Sequence, residues 1–328
     1  MTSRKRVLSG MQPSGLLHLG NLLGALDNWK DLQEQNECFF FVADWHALST
    51  NYADTSHIKE FSRELLIDWL AAGIDPNRAT VFIQSRIPDH AVLHLLLSMI
   101  TPISWLERNP TYKEKQEEIK GRDLGTYGFL GYPVLQAADI LIYKPDLVPV
   151  GKDQLPHLEL TRELARRFNI LFKPVFPEPK EQLTKFPKVL GTDGRKMSKS
   201  YGNTINLSDT EPVVRQKLKT MVTDPARVRR NDPGNPDVCP VYDFHKIYSP
   251  PPVIEQVNRD CRTAAIGCID CKKLVADRMV ERMAPIWEKR DQLTSNPKRL
   301  EEIVEEGSRR ATAVAHHTLQ EVNDAMNI

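Results

Sequence analysis

The sequence predicts an α/β protein: a doubly wound parallel sheet followed by a C-terminal α-helical domain. Three observations carry this. Through the first two-thirds of the 328 residues, short apolar runs alternate with segments of helical periodicity, the pattern of strands joined by crossover helices. Small or polar residues follow the ends of those runs, at Gly10, Asp44, Ser85 and Gly151, where open sheets of this kind hold their ligands. Beyond about Tyr201, strand patterns become scarce and helical ones dominate to the end.

Arg6 to Gly10 reads as the first strand, Cys38 to Val42 as a buried second and Thr80 to Ser85 as a third. Between the last two, Phe61, Leu65, Trp69 and Ala72 recur at helical spacing, and Gly73 offers a C-terminal stop. Pro133 stands at a favourable first position for a helix running to about Tyr143. Leu147 to Val150 is then a strand ending at Gly151, and a doubly charged helix covers Leu155 to Phe168. The Ser208-Asp-Thr-Glu211 tetrapeptide has the form of a capping box and opens the helical part. Breaks follow at Asp232 to Pro240 and Ser249 to Pro252, and Asn296-Pro297 starts a last helix. The expected division is residues 1–205 and 206–328, with the last helix packing back on the first domain.

Charge and targeting signals narrow the setting. With 44 Lys and Arg against 43 Asp and Glu, a net charge of +1, there is no global basic field for a polyanion, so nucleic-acid contact must be local. The N-terminus lacks the apolar core of a secretory signal, and no run approaches a bilayer span. A cytoplasmic protein without a membrane partner is expected, and in that compartment the five cysteines suit burial or metal ligation better than disulfides.

Two motifs suggest nucleotide chemistry. Gln12-Pro-Ser-Gly-Leu-Leu-His-Leu-Gly-Asn21 joins the first strand to an apolar helix. Gly15 and Gly20 allow close backbone approach to a flat ring, while His18 and Asn21 place polar groups at a helix N-terminus suited to phosphate. Lys196-Met-Ser-Lys-Ser200, after Gly191-Thr-Asp-Gly194, sets two lysines on a glycine-flanked loop that can swing over a polyphosphate. Separately, Cys239, Cys261, Cys268 and Cys271 leave gaps of twenty-one, six and two residues. Zinc sites usually pair two short knuckles, so four thiolates around a cubane cluster fit the spacing better. A zinc site and unloaded thiols are the alternatives, and Cys38, within Cys38-Phe-Phe-Phe-Val42, reads as a small core residue.

Taken together, His18-Leu-Gly-Asn21 and Lys196 to Ser200 resemble the HIGH and KMSKS motifs of class I aminoacyl-tRNA synthetases. Gly10 to Gly15, Tyr132 to Leu141, and Val148 to Gln154 followed by His157 and Glu159 narrow the resemblance to the bacterial tryptophanyl-tRNA synthetases over nearly the whole chain. Lys152 stands where many relatives have Glu, and Val189-Leu190 replace the more usual Met-Ser.

The resemblance implies a Rossmann-like catalytic domain, a helical anticodon-binding domain and a homodimer, with the stretch from Ile100 to Tyr112, including Trp105, as the dimer contact. It implies ATP as substrate with Mg2+, and activation of L-tryptophan to its adenylate before transfer to tRNA(Trp) through a ribose 2′ hydroxyl. The ATP site is expected at Gln12, Ser14, Gly15, His18, Gly20, Asn21, Gly151, Asp153, Val189, Lys196, Met197, Ser198 and Lys199. His18, Lys196 and Lys199 would be catalytic, holding and neutralising the phosphates. The tryptophan site is expected at Gln12, His46, Tyr132, Gln136, Asp139, Val148, Val150 and Gln154, with Asp139 accepting the indole N–H. Apart from the resemblance, Asp139 reads as a helix-surface carboxylate and His46 as a core histidine. Some bacterial members carry a 4Fe-4S cluster on cysteines of closely similar spacing, which makes the four cysteines the expected cluster ligands. Arg227 to Arg230 and Arg309-Arg310 are local basic groups that could meet tRNA phosphate. A tyrosyl enzyme, another small nucleotidyltransferase and a non-catalytic paralogue are the rival readings.

Overall fold

The computed structural model describes residues 4–109, 124–183 and 189–328. Its strands are β1 (Arg6–Met11), β2 (Glu37–Val42), β3 (Ala79–Ile83), β4 (Leu147–Val150) and β5 (Lys180–Leu183). They form one parallel sheet in the order β3-β2-β1-β4-β5. The helices of this part are α1 (Leu19–Asn21), α2 (Asp27–Gln35), α3 (Asp44–Asn51), α4 (Ile58–Ala71), α5 (Asp89–Ser98), α6 (Ile103–Glu107), α7 (Tyr127–Leu141) and α8 (Leu155–Leu171). The later ones are α9 (Glu211–Thr220), α10 (Pro240–Tyr248), α11 (Pro251–Arg262), α12 (Cys268–Ser295) and α13 (Pro297–Met326). The predicted fold class is therefore the observed one.

Parallel strands need apolar cover on both faces, which explains the unbroken run Cys38-Phe-Phe-Phe-Val42. Because successive side chains point to opposite faces, Cys38, Phe40 and Val42 enter one core and Phe39 and Phe41 the other. Phe40 stacks on Trp29 of α2 at 4.4 Å between ring centroids, and Phe39 stacks on Tyr143 at 5.0 Å. Cys38 is a buried core thiol whose pKa burial pushes up to about 12. α12 is held to α4 by Arg290, which bonds buried Asp68 and meets Glu64 at 2.7 Å.

Several element boundaries depart from expectation. α7 starts at Tyr127, where Thr126 Oγ1 accepts from the Phe129 N–H, so Pro133 lies inside the helix instead of at its first position. The capping box at Ser208 does not form: the N-cap of α9 is Thr210 without a side-chain cap, while Asp209 Oδ2 accepts from Asn206 N and Lys217 Nζ. β5 was not apparent because Lys180-Glu-Gln-Leu183 carries the polar composition of an edge strand. At the other edge, Ser85 falls in a 3-10 turn after β3.

The outer edge of β3 is covered by α13. A Cβ placed on Gly307 would lie 1.8 Å from Val81 O, and Arg310 donates to Pro76 O at 2.7 Å and to Ala79 O at 3.3 Å. The helix thus lies along carbonyls that would otherwise offer pairing to another strand. Gly307→Ala should destabilise the fold by about 1–3 kcal/mol through overpacking against strand backbone. The measurement is the midpoint of urea denaturation, and an unchanged midpoint would show that α13 can withdraw without loss.

Candidate active site

The order of the sheet reverses between β1 and β4, and ligands in open α/β sheets sit beyond the strand ends at such a point. A cavity of about 360 Å3 opens there. Its walls come from the end of β1 with Gln12, from Asn21 and Ala25 on the first helical run, from His46 of α3, from Gln136 and Asp139 of α7, and from Val148 to Gly151 with Gln154. A second cavity of about 790 Å3 is lined by Ser14, His18, Gly20, Asn21, Val189 and Lys196 to Tyr201. Asn21 and Ala25 wall both, so the two are neighbours across one helical run. That run turns as a π-helix over Leu22–Leu26, a widening common at functional sites.

Backbone pairing brings the two motifs together. Leu19 N bonds Ile205 O at 3.0 Å, Leu207 N bonds Leu17 O at 2.9 Å, and His18 and Asn206 form an antiparallel bridge. Lys199 Nζ reaches Gly15 O at 2.9 Å. Gly15 has φ +123°, a conformation that an L side chain rarely adopts. His18 Nδ1 accepts from the Gly20 N–H at 3.1 Å, and Asn21 Oδ1 accepts from the His18 N–H at 3.1 Å. Burial, aided by the Lys199 charge, lowers the His18 pKa to about 4. His18 is therefore a neutral imidazole with Nδ1 used as acceptor, which leaves Nε2–H as its donor. As a neutral group His18 can donate a hydrogen bond but brings no positive charge to this cavity.

The lysine loop takes its shape from Asn203, 2% exposed. Asn203 donates to Asp193 Oδ1 at 2.7 Å and to Lys196 O at 3.2 Å, and accepts from the Ser198 N–H at 2.8 Å. Hydrogen bonds from Asn203 and Arg195 hold the Asp193 carboxyl at about 2. The Lys199 stem is exposed but its ammonium is tucked against Gly15, and this desolvation lowers its pKa to about 8.

Asp139 is 1% exposed and stands at the cavity wall. Its Oδ2 meets His46 Nε2 at 2.7 Å, its Oδ1 meets His90 Nδ1 at 2.7 Å, and Gln84 Nε2 donates to both oxygens at 2.8 Å. Burial pushes the carboxyl up, but the bonds and charges of His46 and His90 outweigh it and hold the pKa at about 2. The residue is a buried, ionised acceptor and not the helix-surface carboxylate that its sequence context alone suggests.

Most of the expected residues line these two cavities, and three do not: Gly15, which sits against Lys199, Tyr132 and Asp153. Tyr132 lies two turns before Asp139 on α7, about 10 Å along the axis. Its hydroxyl meets His157 Nε2 at 3.0 Å, outside the lining of either cavity. Asp153 is exposed and accepts from Gln154 Nε2 at 2.8 Å. Asp44 and Ser85 bond each other at 2.5 Å and line a neighbouring cleft under the start of α13. Gln84, His90 and Asn203 escaped the sequence reading, since no short-range spacing ties them to the motifs; the one signal was Asn203 directly after Tyr201-Gly202.

The four clustered cysteines are free thiols, and among the described residues no group of three or more His, Cys, Asp or Glu is arranged to hold a metal. The expected metal centre is thus not formed as such. Even so, the fields of Cys239, Cys261 and Cys268 all act on Cys271, so the four lie within electrostatic reach of one another. Arg227 donates to Arg230 O at 2.9 Å and Ile266 O at 2.8 Å, and Arg230 to Ala264 O at 2.5 Å. These arginines brace the cysteine-bearing turn, while Arg229 is exposed and its backbone N–H donates to Asp232 Oδ2 at 2.6 Å. Arg309 pairs with Glu306 at 2.7 Å.

A family model described as tRNA synthetases class I (W and Y) matches residues 1–284. The chain belongs to this class of enzymes. The tryptophan–tRNA ligase of Thermotoga maritima is 54% identical over 328 residues, spanning 98% of this chain and 99% of its own. That of Aquifex aeolicus is 43% identical, over 98% of this chain and 100% of its own. The crystal structure of tryptophanyl-tRNA synthetase from Campylobacter jejuni complexed with ADP and tryptophan superposes with a TM-score of 0.92 at 32% identity, covering 98% of this chain and all of that one. Within the class, the activity is tryptophan–tRNA ligation: L-tryptophan is activated with ATP to tryptophanyl-adenylate, releasing pyrophosphate, and is then transferred to tRNA(Trp).

With Lys199 titrating at about 8, its ammonium is charged below that pH and lost above it. In pyrophosphate exchange, kcat/KM for ATP should therefore fall as pH rises through about 8, since that ratio reports the free enzyme. Lys199→Arg should remove this alkaline limb by keeping its charge; persistence of the limb would assign it to another group.

Proposed function

We propose that activation takes place where the two cavities meet, with the residues of each in separate roles. Asp139 accepts the indole N–H between Val148 and Val150, and Gln12, His46, Gln136 and Gln154 complete the tryptophan wall. Ser14, Gly15, Gly20, Asn21, Gly151, Val189, Met197 and Ser198 surround the nucleotide. His18 donates Nε2–H to a phosphate oxygen, and Lys196 and Lys199 meet the polyphosphate. The observation that carries this reading is the shared wall at Asn21 and Ala25, which sets the amino-acid cavity against the phosphate cavity.

Chemistry follows from placement. The tryptophan carboxylate is already a nucleophile, so its oxygen attacks the α-phosphorus in line, the α–β bridging bond breaks and pyrophosphate leaves without a general base. Lys196 and Lys199 stabilise charge that grows on the leaving phosphates. Magnesium, when bound, neutralises phosphate charge. In the second step a terminal ribose hydroxyl, the 2′ one, attacks the acyl carbon and AMP departs. A fixed ionised acceptor suits selection of tryptophan, because a ligand without the matching donor leaves it unpaired. Asp139→Ala should abolish tryptophan-dependent ATP–pyrophosphate exchange while tyrosine remains a poor substrate; normal exchange would refute the acceptor role.

The helical part from residue 206 is read as the anticodon-binding domain, residues 1–205 as the catalytic domain, and the cytoplasm as the working compartment. Cys239, Cys261, Cys268 and Cys271, whose charges act on Cys271 together, are read from their spacing as the soft donors that would hold a 4Fe-4S cluster as a structural brace. Anaerobically purified protein should carry iron and sulfide with visible charge-transfer absorbance, both lost in Cys268→Ser. Zinc alone, or no metal, would overturn the cluster.

The dimer contact is read on α5. Val92, Leu95 and Met99 repeat at helical spacing with exposures of 41%, 52% and 69%, and Ile103 continues the exposed surface at 63%. Trp105 is half-buried under Arg167 at 5.7 Å and Tyr112 lies outside the described residues, so the earlier stretch supplies the apolar face. Leu95→Glu with Met99→Glu should shift sedimentation at micromolar concentration from dimer to monomer; an unchanged profile would remove α5 from the interface.

A further inference from the structure

Asp139 is held by more protein donors than its place in the cavity wall requires, and they divide by position. His46 and Asp139 line the cavity; Gln84, His90 and Tyr143 do not. Gln84 and His90 are fully buried, at 0% exposure. Gln84 Oε1 is taken by the Trp45 N–H at 3.1 Å, which fixes the amide so that its NH2 points to the carboxylate. His90 uses both ring nitrogens: Nδ1 on Asp139 Oδ1 at 2.7 Å and Nε2 on the Tyr143 hydroxyl at 2.8 Å. Tyr143 is fixed in turn by its stack on Phe39 and its contact with Phe82 at 5.5 Å. A rigid chain therefore runs from the aromatic core, through Tyr143 and His90, to the far oxygen of Asp139.

We propose that His90, backed by Tyr143, and Gln84 are positioning residues for tryptophan selection: they clamp Asp139 Oδ1 from behind, so that the Oδ2 edge beside His46 is what an incoming indole N–H meets. This rests on the reading of Asp139 as the indole acceptor. A carboxylate has about four lone-pair sites, and here both on Oδ1 are used, by Gln84 and His90. On Oδ2 the two donors are Gln84 and His46, and since only His46 faces the cavity, an indole N–H takes its place on Oδ2 by displacing His46. Rotation of the carboxylate would break the His90 and Gln84 bonds together. The acceptor direction is thereby set before the ligand arrives, which is where hydrogen-bond discrimination gains its strength.

The test uses full-length protein in ATP–pyrophosphate exchange with tryptophan and with 3-(benzothiophen-3-yl)alanine, which keeps the shape of the substrate but replaces N–H by sulfur. His90→Phe should raise KM for tryptophan about ten- to hundredfold, the scale of one lost bond to a charged group. Its kcat should stay within about threefold and its KM for the analogue should change little, so the preference for tryptophan collapses. His90→Asn, whose amide nitrogen can take the place of Nδ1, should restore most of that preference. Tyr143→Phe, which preserves the packed ring, should lose a smaller part, about two- to tenfold. Equal KM increases for both ligands in His90→Phe would show a merely structural role and overturn the proposal, as would an unchanged preference in both His90→Phe and Tyr143→Phe. Asp139→Ala separates the two layers. If it loses the preference while the His90 and Tyr143 variants keep it, the positioning role alone falls; if binding to Asp139→Ala still favours tryptophan over the analogue, the acceptor reading falls and takes this one with it.

Discussion

A carboxylate kept charged in the interior is the constraint around which this molecule is arranged. Desolvation alone would neutralise Asp139, and only donors supplied from several directions reverse that balance. Those donors come from three different places: His46 on α3, Gln84 after β3 and His90 in the first turn of α5. None is near Asp139 in sequence, and each is delivered only when its element has docked on the sheet. The charge on this cavity-wall carboxylate thus depends on correct docking of several elements on the sheet.

The phosphate side is organised differently. Its cationic groups sit on a loop whose tip is exposed, while its base is fixed by backbone pairing between residues 17–19 and 205–207 and by the buried Asn203 amide. The loop thus has a rigid root, while at its tip the Lys199 ammonium reaches back to Gly15 O. His18 complements this as a neutral donor, whose Nδ1 is already engaged by Gly20. A neutral imidazole beside the two lysines of the loop gives this cavity a further donor without a third cation.

How much of this could be read from the sequence followed the range of the interactions. Four strands were visible because buried parallel strands write continuous apolar runs, as at Cys38 to Val42. β5 was hidden by its polar edge composition, and Pro133 suggested a helix start that Thr126 in fact supplies six residues before the helix reaches the proline. At the site, glycine and lysine spacings exposed the phosphate residues, since that chemistry is local. The clamp on Asp139 was invisible because its members are separated by 49 and 55 residues and speak to one another only through tertiary packing. Tyr132 shares a helical stripe with Gln136 and Asp139, yet its hydroxyl is engaged by His157 and it is absent from the lining of either cavity.

The helix that seals the outer strand follows every strand of the sheet along the chain and is therefore made after them. α13 occupies the final 30-residue helical segment, Pro297–Met326, so while a ribosome still encloses that segment, β3 has no cover for Ala79 O and Val81 O. For that interval a nascent chain carries a complete set of strand sequences with an open border, a template for pairing with another chain. Docking of α13, and not emergence of the sheet itself, is what closes this border to association through the backbone.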